Sequence, residues 1–142
     1  MLDNSKGKRH VLFLCTGNSV RSQMAEGFLR VLGGNQFMVK SAGTNPAGVN
    51  PRSVEVMKEE SIDISNQSSN KLTADMLEWA DLLITLCGDA HENCPVVPHG
   101  VEKRHWSLSD PSKGGGTEEE IMERFRETRD LIKGYVKELV GR

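Results

Sequence analysis

HVLFLCTGNSVRSQMAEGFLRVLGG, residues 10–34, decides the reading of the fold. Its first part, His10 to Cys15, is a short apolar run that stops at a glycine-containing turn, the pattern of a strand buried on both faces. From Ser22 to Leu32 the period changes. Met24, Phe28, Val31 and Leu32 recur at helical spacing, and Gly33-Gly34 supplies the stop. A buried strand, a tight turn and an amphipathic helix in succession form the opening of a parallel β-α-β unit.

The rest of the chain repeats the alternation. Phe37 to Ser41 (FMVKS), Asp81 to Leu86 (DLLITL) and a short piece within Val101 to Ser107 predict three more strands. Pro51 to Glu60 predicts a helix with proline in its first turn, and Leu72 to Ala80 another, with Thr73 as its N-cap. After a flexible loop at Ser112 to Gly116 comes a long helix from Thr117 to Leu139, opened by a capping box of Thr117 and Glu120. The expected class is α/β: a three-layer sandwich with a four-stranded parallel sheet. With no repeat and no long linker, the expectation is a flexible tail at 1–8 and a single catalytic domain at 9–142.

The bulk properties narrow the function. The chain has 142 residues, 37% hydrophobic and 27% charged, enough to bury a core without disulfides. Its formal net charge of -2 gives no footprint for nucleic acid or an anionic membrane. No apolar run approaches the roughly 18 residues of a membrane span, and the polar segment Met1 to Lys8 lacks the apolar stretch of a secretory signal. The expected compartment is the reducing cytoplasm. There, three cysteines, Cys15, Cys87 and Cys94, read as buried or reactive thiols rather than as a disulfide framework.

Cys15-Thr16-Gly17-Asn18-Ser19-Val20-Arg21-Ser22 places a cysteine, five residues, an arginine and a hydroxyl between a buried strand and a helix. Parallel sheets bind ligands at this strand edge. A tight loop there turns successive amides inward to nest a tetrahedral oxyanion, so Thr16, Gly17, Asn18, Ser19, Val20 and Arg21 are the expected anion-binding residues. Arg21 can grip two oxygens at once. The same field favours the thiolate of Cys15, an activated nucleophile aimed at the central atom of the anion. Ser22 can donate a hydrogen bond to that sulfur, and Gly17 is expected to let the backbone approach closely.

Cys87 ends the DLLITL strand, and Cys94 lies seven residues on. In a parallel sheet Cys87 emerges at the edge that bears Cys15, where it could attack an adduct formed there. The segment between Cys87 and Cys94 would have to rearrange for the two to pair, because a disulfide needs Cα atoms within about 7 Å. Zinc is disfavoured, since the spacings match no common ligand pair despite His91 nearby; no metal site is expected. Asp110-Pro111 presents a carboxylate on a restricted loop, suited either to a general acid that protonates a leaving oxygen or to a plain turn. His91, His99 and His105 read as solvated or structural, and Trp79 and Trp106 as packing.

The chain resembles the thioredoxin-coupled arsenate reductases, which share the low-molecular-weight protein tyrosine phosphatase fold. The resemblance is carried by LCTGNSVRSQMAEGF (Leu14 to Phe28), SAGT (Ser41 to Thr44), GVNP (Gly48 to Pro51), IDISNQ (Ile62 to Gln67), LITLCGDAHENCP (Leu83 to Pro95) and HWSLSDP (His105 to Pro111). It implies that Cys15 attacks arsenate held by the loop and Arg21, with Asp110 assisting loss of water. Cys87 then attacks the adduct, and Cys94 attacks Cys87, leaving a Cys87–Cys94 disulfide for thioredoxin to reduce. Phosphate or sulfate would mimic the substrate. Glutaredoxin with glutathione is the alternative donor, and the expected state is a monomer. Two departures stand out. Many relatives carry cysteine where this chain has Val20. Some bind potassium through residues matching Asn18, Glu26 and Ser41 plus an aspartate where this chain has Asn70, and the neutral amide puts that site in doubt. No organic cofactor is implied. Two other functions compete: a tyrosine phosphatase using Cys15, Arg21 and Asp110 alone, and a non-catalytic anion or redox sensor.

Overall fold

A computed structural model describes residues 7–86 and 97–141. Four strands, β1 (Arg9–Cys15), β2 (Phe37–Gly43), β3 (Leu82–Thr85) and β4 (Glu102–His105), form one sheet in the order β2-β1-β3-β4, all parallel. The helices are α1 (Arg21–Gly33), α2 (Pro51–Lys58), α3 (Ala74–Trp79) and α4 (Glu118–Val140), with a 3-10 turn at Gly34–Gln36. The expected α/β sandwich on a four-stranded parallel sheet is what the chain forms.

Strand β1 lies between β2 and β3, so both its edges are paired, and its side chains are covered on both faces. Val11, Leu12, Phe13 and Leu14 are fully buried, which explains the unbroken apolar run. Strand β4 is the edge, and its sequence EKRH leaves Glu102 and Lys103 exposed, charges that discourage pairing with another chain. Just beyond it, Trp106 stacks on Tyr135 of α4 at 4.9 Å between ring centroids. Trp79 stacks on His10 at 4.6 Å. The tryptophans therefore pack, as expected.

Element boundaries shift for local reasons. Helix α2 stops at Lys58, before the expected Glu60, because Ser61 turns to φ 62° and the amides of Glu60 and Ile62 both close on the Met57 carbonyl. Helix α3 starts at Ala74 instead of Leu72. The Leu72 amide is committed to the Gly43 carbonyl at the sheet edge, while the Thr73 hydroxyl caps the Met76 amide at 3.2 Å. Asp81 falls outside β3, its carboxylate accepting from the His10 amide at 2.8 Å. Helix α4 opens on the expected capping box, with both Thr117–Glu120 hydrogen bonds present. Arg129, largely buried, ties α4 to α2 by donating to the Val56 carbonyl (3.0 Å) and Glu59 (2.7 Å).

Candidate active site

The register pairs Cys15 with Gly43, so β1 delivers its last side chain to the C-terminal edge in the middle of the sheet. The loop that follows is fixed from outside. The Thr16 carbonyl accepts from the Asn45 amide (2.8 Å), Gly17 from Ala47 (2.9 Å) and Ser19 from Asn50 (3.0 Å). A trans peptide points its N–H opposite its carbonyl. Outward carbonyls at 16, 17 and 19 therefore aim the amides of Gly17, Asn18 and Val20 the other way, to the inside of the loop. Among the described residues no side chain caps the N-terminus of α1, whose first amides can face an anion.

The expected role of Gly17 is corrected. A Cβ there would meet nothing closer than the Ser19 Cβ at 3.6 Å. The demanding backbone belongs to Asn18, at φ 44°, a region asparagine tolerates. The close approach belongs to Gly43, where a Cβ would lie 2.6 Å from the Thr16 carbonyl oxygen and 2.9 Å from the Asn18 nitrogen. The β1–β2 register brings Gly43 there, a contact that the SAGT segment by itself does not reveal.

Cys15, 2% exposed, has its sulfur 2.9 Å from the Ser22 hydroxyl. The direction of that hydrogen bond follows from its neighbours. The Asn70 backbone amide can only donate, and it meets Asn18 Oδ1 at 2.7 Å. Asn18 must then present its Nδ2 to Ser22 Oγ, 2.8 Å away. The single Ser22 proton is left for Cys15 Sγ, so the sulfur is the acceptor, the role a thiolate fills.

Arg21 lies across the pocket. Its Nη1 donates to the Leu108 carbonyl (2.9 Å), and its Nη2 stands 3.6 Å from Asp110 Oδ2. Its Nε is buried without a partner among the described residues, an orphan donor beside the loop. Asp110 is aimed by more than Pro111: its Oδ1 accepts from the Ser112 amide (2.9 Å) and hydroxyl (2.6 Å). The cavity, about 690 Å³, is lined by the loop together with Asn45, Ala47, Asp110, Ser112 and Lys113. No aromatic side chain is among these residues.

Cys15, the residues from Thr16 to Ser22 and Asp110 thus lie together at one edge of the sheet. Cys87 and Cys94 lie outside the described residues, as does His91. The last described residue before Cys87, Leu86, donates its amide to the Leu14 carbonyl at 2.9 Å. The chain therefore leaves β3 at the edge that bears Cys15. His99 is exposed, and His105 holds the buried Thr85 hydroxyl at 2.8 Å. Among the described residues, no group of three or more His, Cys, Asp or Glu side chains could hold a metal ion. Asn18, Glu26, Ser41 and Asn70 do gather behind the loop, with Arg30 added, a side chain the sequence reading did not name. Among the described residues no helix is long and apolar enough to cross a membrane.

Comparison with known proteins agrees with this geometry. The chain is 49% identical over 128 residues to an arsenate reductase of Bacillus subtilis (strain 168), covering 90% of this chain and 92% of that protein. A solved arsenate reductase in the reduced state superposes with a TM-score of 0.78 at 35% identity, covering 94% of this chain and 97% of the other. A Corynebacterium glutamicum thioredoxin-dependent arsenate reductase superposes with a TM-score of 0.76 at 31% identity. That alignment covers 95% of this chain, which spans 61% of that one. Residues 10–142 match the model of one protein family, and with the strand-loop-helix site in place the chain belongs to it: the low molecular weight phosphotyrosine protein phosphatases.

Proposed function

We infer that the protein is an arsenate reductase that works through a three-cysteine relay regenerated by thioredoxin. The observation that carries the reading is that a sulfur accepting the Ser22 proton and an arginine with an orphan Nε donor, Arg21, line the same cavity. The relatives named arsenate reductase and the thioredoxin-dependent structural neighbour support the choice of substrate and donor.

The chemistry runs in balanced steps. The Cys15 thiolate attacks arsenic in bound arsenate. An oxygen leaves as water, protonated with the help of Asp110, and an As–S bond remains. The Cys87 thiolate attacks Cys15 Sγ. A Cys15–Cys87 disulfide forms, the As–S electron pair stays on arsenic, As(V) becomes As(III), and arsenite departs. Cys94 then attacks Cys87 Sγ, freeing Cys15 and leaving a Cys87–Cys94 disulfide. A thioredoxin dithiol supplies the two electrons that restore both thiols. The course of β3 supports this order, because its last described residue before Cys87, Leu86, is hydrogen-bonded to Leu14 at the edge that bears Cys15. The relay needs no organic cofactor, suits a reducing cytoplasm and asks for no second subunit.

Phosphomonoester hydrolysis is the second reading, favoured by Asp110 facing Arg21 across the cavity above Cys15. Among the described residues the cavity lining holds no aromatic partner for phosphotyrosine, which supports hydrolysis as a side reaction. The deciding assay follows NADPH oxidation coupled through thioredoxin reductase and thioredoxin, with arsenate as acceptor. Wild type turns over repeatedly, Cys15→Ser is inactive but folded, and Cys94→Ser stalls after one arsenite per chain. Repeated turnover by Cys15→Ser, or by Cys94→Ser with thioredoxin, overturns the relay. Phosphatase turnover exceeding arsenate turnover in wild type would make the protein a hydrolase instead.

A further inference from the structure

Glu26 sits on α1, just past the anion loop, and is 4% exposed. A buried carboxylate needs a counter-charge. The resemblance raised a potassium ion for this place, but the residues present do not fit one. Arg30, one turn along the same helix, donates to Glu26 Oε2 through both Nε (3.0 Å) and Nη2 (2.5 Å). The Ser41 hydroxyl donates to Oε1 (2.5 Å). Asn70, which stands where an aspartate would complete a cation site, turns its Nδ2 donor toward the Ser41 and Ser68 carbonyls (3.4 and 3.0 Å) and its oxygen to the Ser68 hydroxyl. Carbonyls cannot donate, so this orientation is fixed, and the amide offers hydrogens where a potassium ion would need oxygen. A second cavity, separate from the anion pocket, is lined by Glu26, Arg30, Ser41 and Asn70; the other cation on its wall, Lys40, is spent on the Trp79 ring, 4.5 Å from its centroid.

We propose that Arg30 is the resident cation of the anion loop. Its guanidinium neutralises Glu26 and, through Ser41 and Asn70, holds Asn18 and the Ser22–Cys15 pair in register without any bound metal ion. The links are continuous. Glu26 holds Ser41 Oγ, the Ser41 carbonyl holds the Asn70 side chain, the Asn70 backbone amide holds Asn18 Oδ1, and Asn18 Nδ2 sets the Ser22 proton on Cys15. Arg30 is a positioning residue, since it does not line the anion pocket and makes no hydrogen bond to the sulfur. Its side chain is 54% exposed, so its role is to supply charge and two donors to one Glu26 oxygen rather than to fill space.

The inference concerns the loop and does not depend on which oxyanion is reduced, so two of its readouts need no substrate. The first compares melting temperature in potassium, sodium and choline chloride at equal ionic strength, using the whole chain. Wild type melts at the same temperature in all three. The second follows alkylation of Cys15 by iodoacetamide against pH, in a Cys87→Ser/Cys94→Ser background. Arg30→Met slows it roughly tenfold at neutral pH, the scale of losing a group that orients a reactive one, and moves its pH midpoint upward. Arg30→Lys restores most of the rate. Arg30→Met/Asn70→Asp, which returns a carboxylate and removes the guanidinium, gains thermal stability in potassium over choline. A potassium-selective rise in the wild-type melting temperature would overturn the proposal. So would an Arg30→Met chain whose Cys15 alkylates at the wild-type rate with the wild-type pH profile. If the ion comparison and alkylation behave as expected while arsenate turnover is absent, the proposed activity fails and this inference stands.

Discussion

Replacing Gly43 by alanine should separate the activity of the loop from the stability of the fold. Gly43 does not occupy a left-handed conformation, so alanine suits its backbone and the cost is purely one of space. The new Cβ would lie 2.6 Å from Thr16 O, 2.9 Å from Asn18 N and 3.0 Å from Asn18 Cβ. To bring Thr16 O out to an ordinary 3.4 Å, the loop must retreat by about 0.8 Å. None of these atoms is a flexible side-chain end, so the movement is taken up by the peptides that line the anion site. Overpacking of this kind costs about 1–3 kcal/mol, near 3 °C of melting temperature per kcal/mol in a chain of this size. A displacement approaching 1 Å at a reacting centre should lower kcat/KM for arsenate on the order of 10–100-fold. Gly27→Ala is the control. Its Cβ would lie 2.6 Å from Ile64 Cγ2 and 3.2 Å from Met57 Cε, so the crowding falls on core side chains and not on the peptides of the anion loop. Its overpacking is also partly offset by the roughly 1 kcal/mol that alanine gains over glycine inside a helix. Gly27→Ala should therefore shift stability by a similar or smaller amount and leave kcat/KM within about twofold. The coupled arsenate assay and urea unfolding, run on both variants, decide it. A Gly43→Ala enzyme with wild-type kcat/KM, or two variants that lose activity in equal proportion, would refute the argument that Gly43 shapes the loop.

Other expectations follow from the same contacts. Ser22→Ala removes the proton donor to Cys15 and strands the buried Asn18 Nδ2, so alkylation of Cys15 should slow while unfolding free energy falls by about 1–3 kcal/mol; unchanged alkylation kinetics would contradict the proton assignment. Thr117→Ala deletes the cap of α4 and should cost about 1 kcal/mol in urea unfolding with arsenate turnover intact. The hydrogen bond from Arg126, joined by Arg129, holds the Glu59 carboxyl below its ordinary value of 4.5. A lowered folded value means the stabilisation is fully present above that ordinary value and is lost as pH falls through the lower one. Glu59→Gln should therefore flatten the acid limb of stability against pH; an unaltered acid limb would show the ion pair to be silent.

The segment from His10 to Gly34 was legible because its information is local: an apolar run, a turn and a 3.6-residue period. The caps at Thr73 and Thr117 were legible for the same reason. What could not be read was set by partners distant in the chain. Gly43 matters because strand pairing lays it against Cys15. Gly17 has ordinary room around it, and the tight contact forms at Gly43 instead. The hold of Asn70 on Asn18 spans 52 positions. Arg30 could have been picked out, since a glutamate four residues before an arginine is a standard helical pair. Spacing alone could not tell that this glutamate would be buried and the pair would stand behind the loop. Asp110 was suspected for its proline, while its direction is shared with Ser112, two residues on.

The approach of Arg21 to Asp110 across the cavity carries a consequence for inhibition. An incoming oxyanion must win the guanidinium from a carboxylate tethered to the protein itself, so part of its grip is consumed in displacing an internal competitor. Asp110→Asn abolishes that rivalry together with the acid that expels the leaving oxygen. The substituted protein should thus hold phosphate or arsenate more tightly than wild type in a calorimeter while reducing arsenate far more slowly, a trap rather than a catalyst.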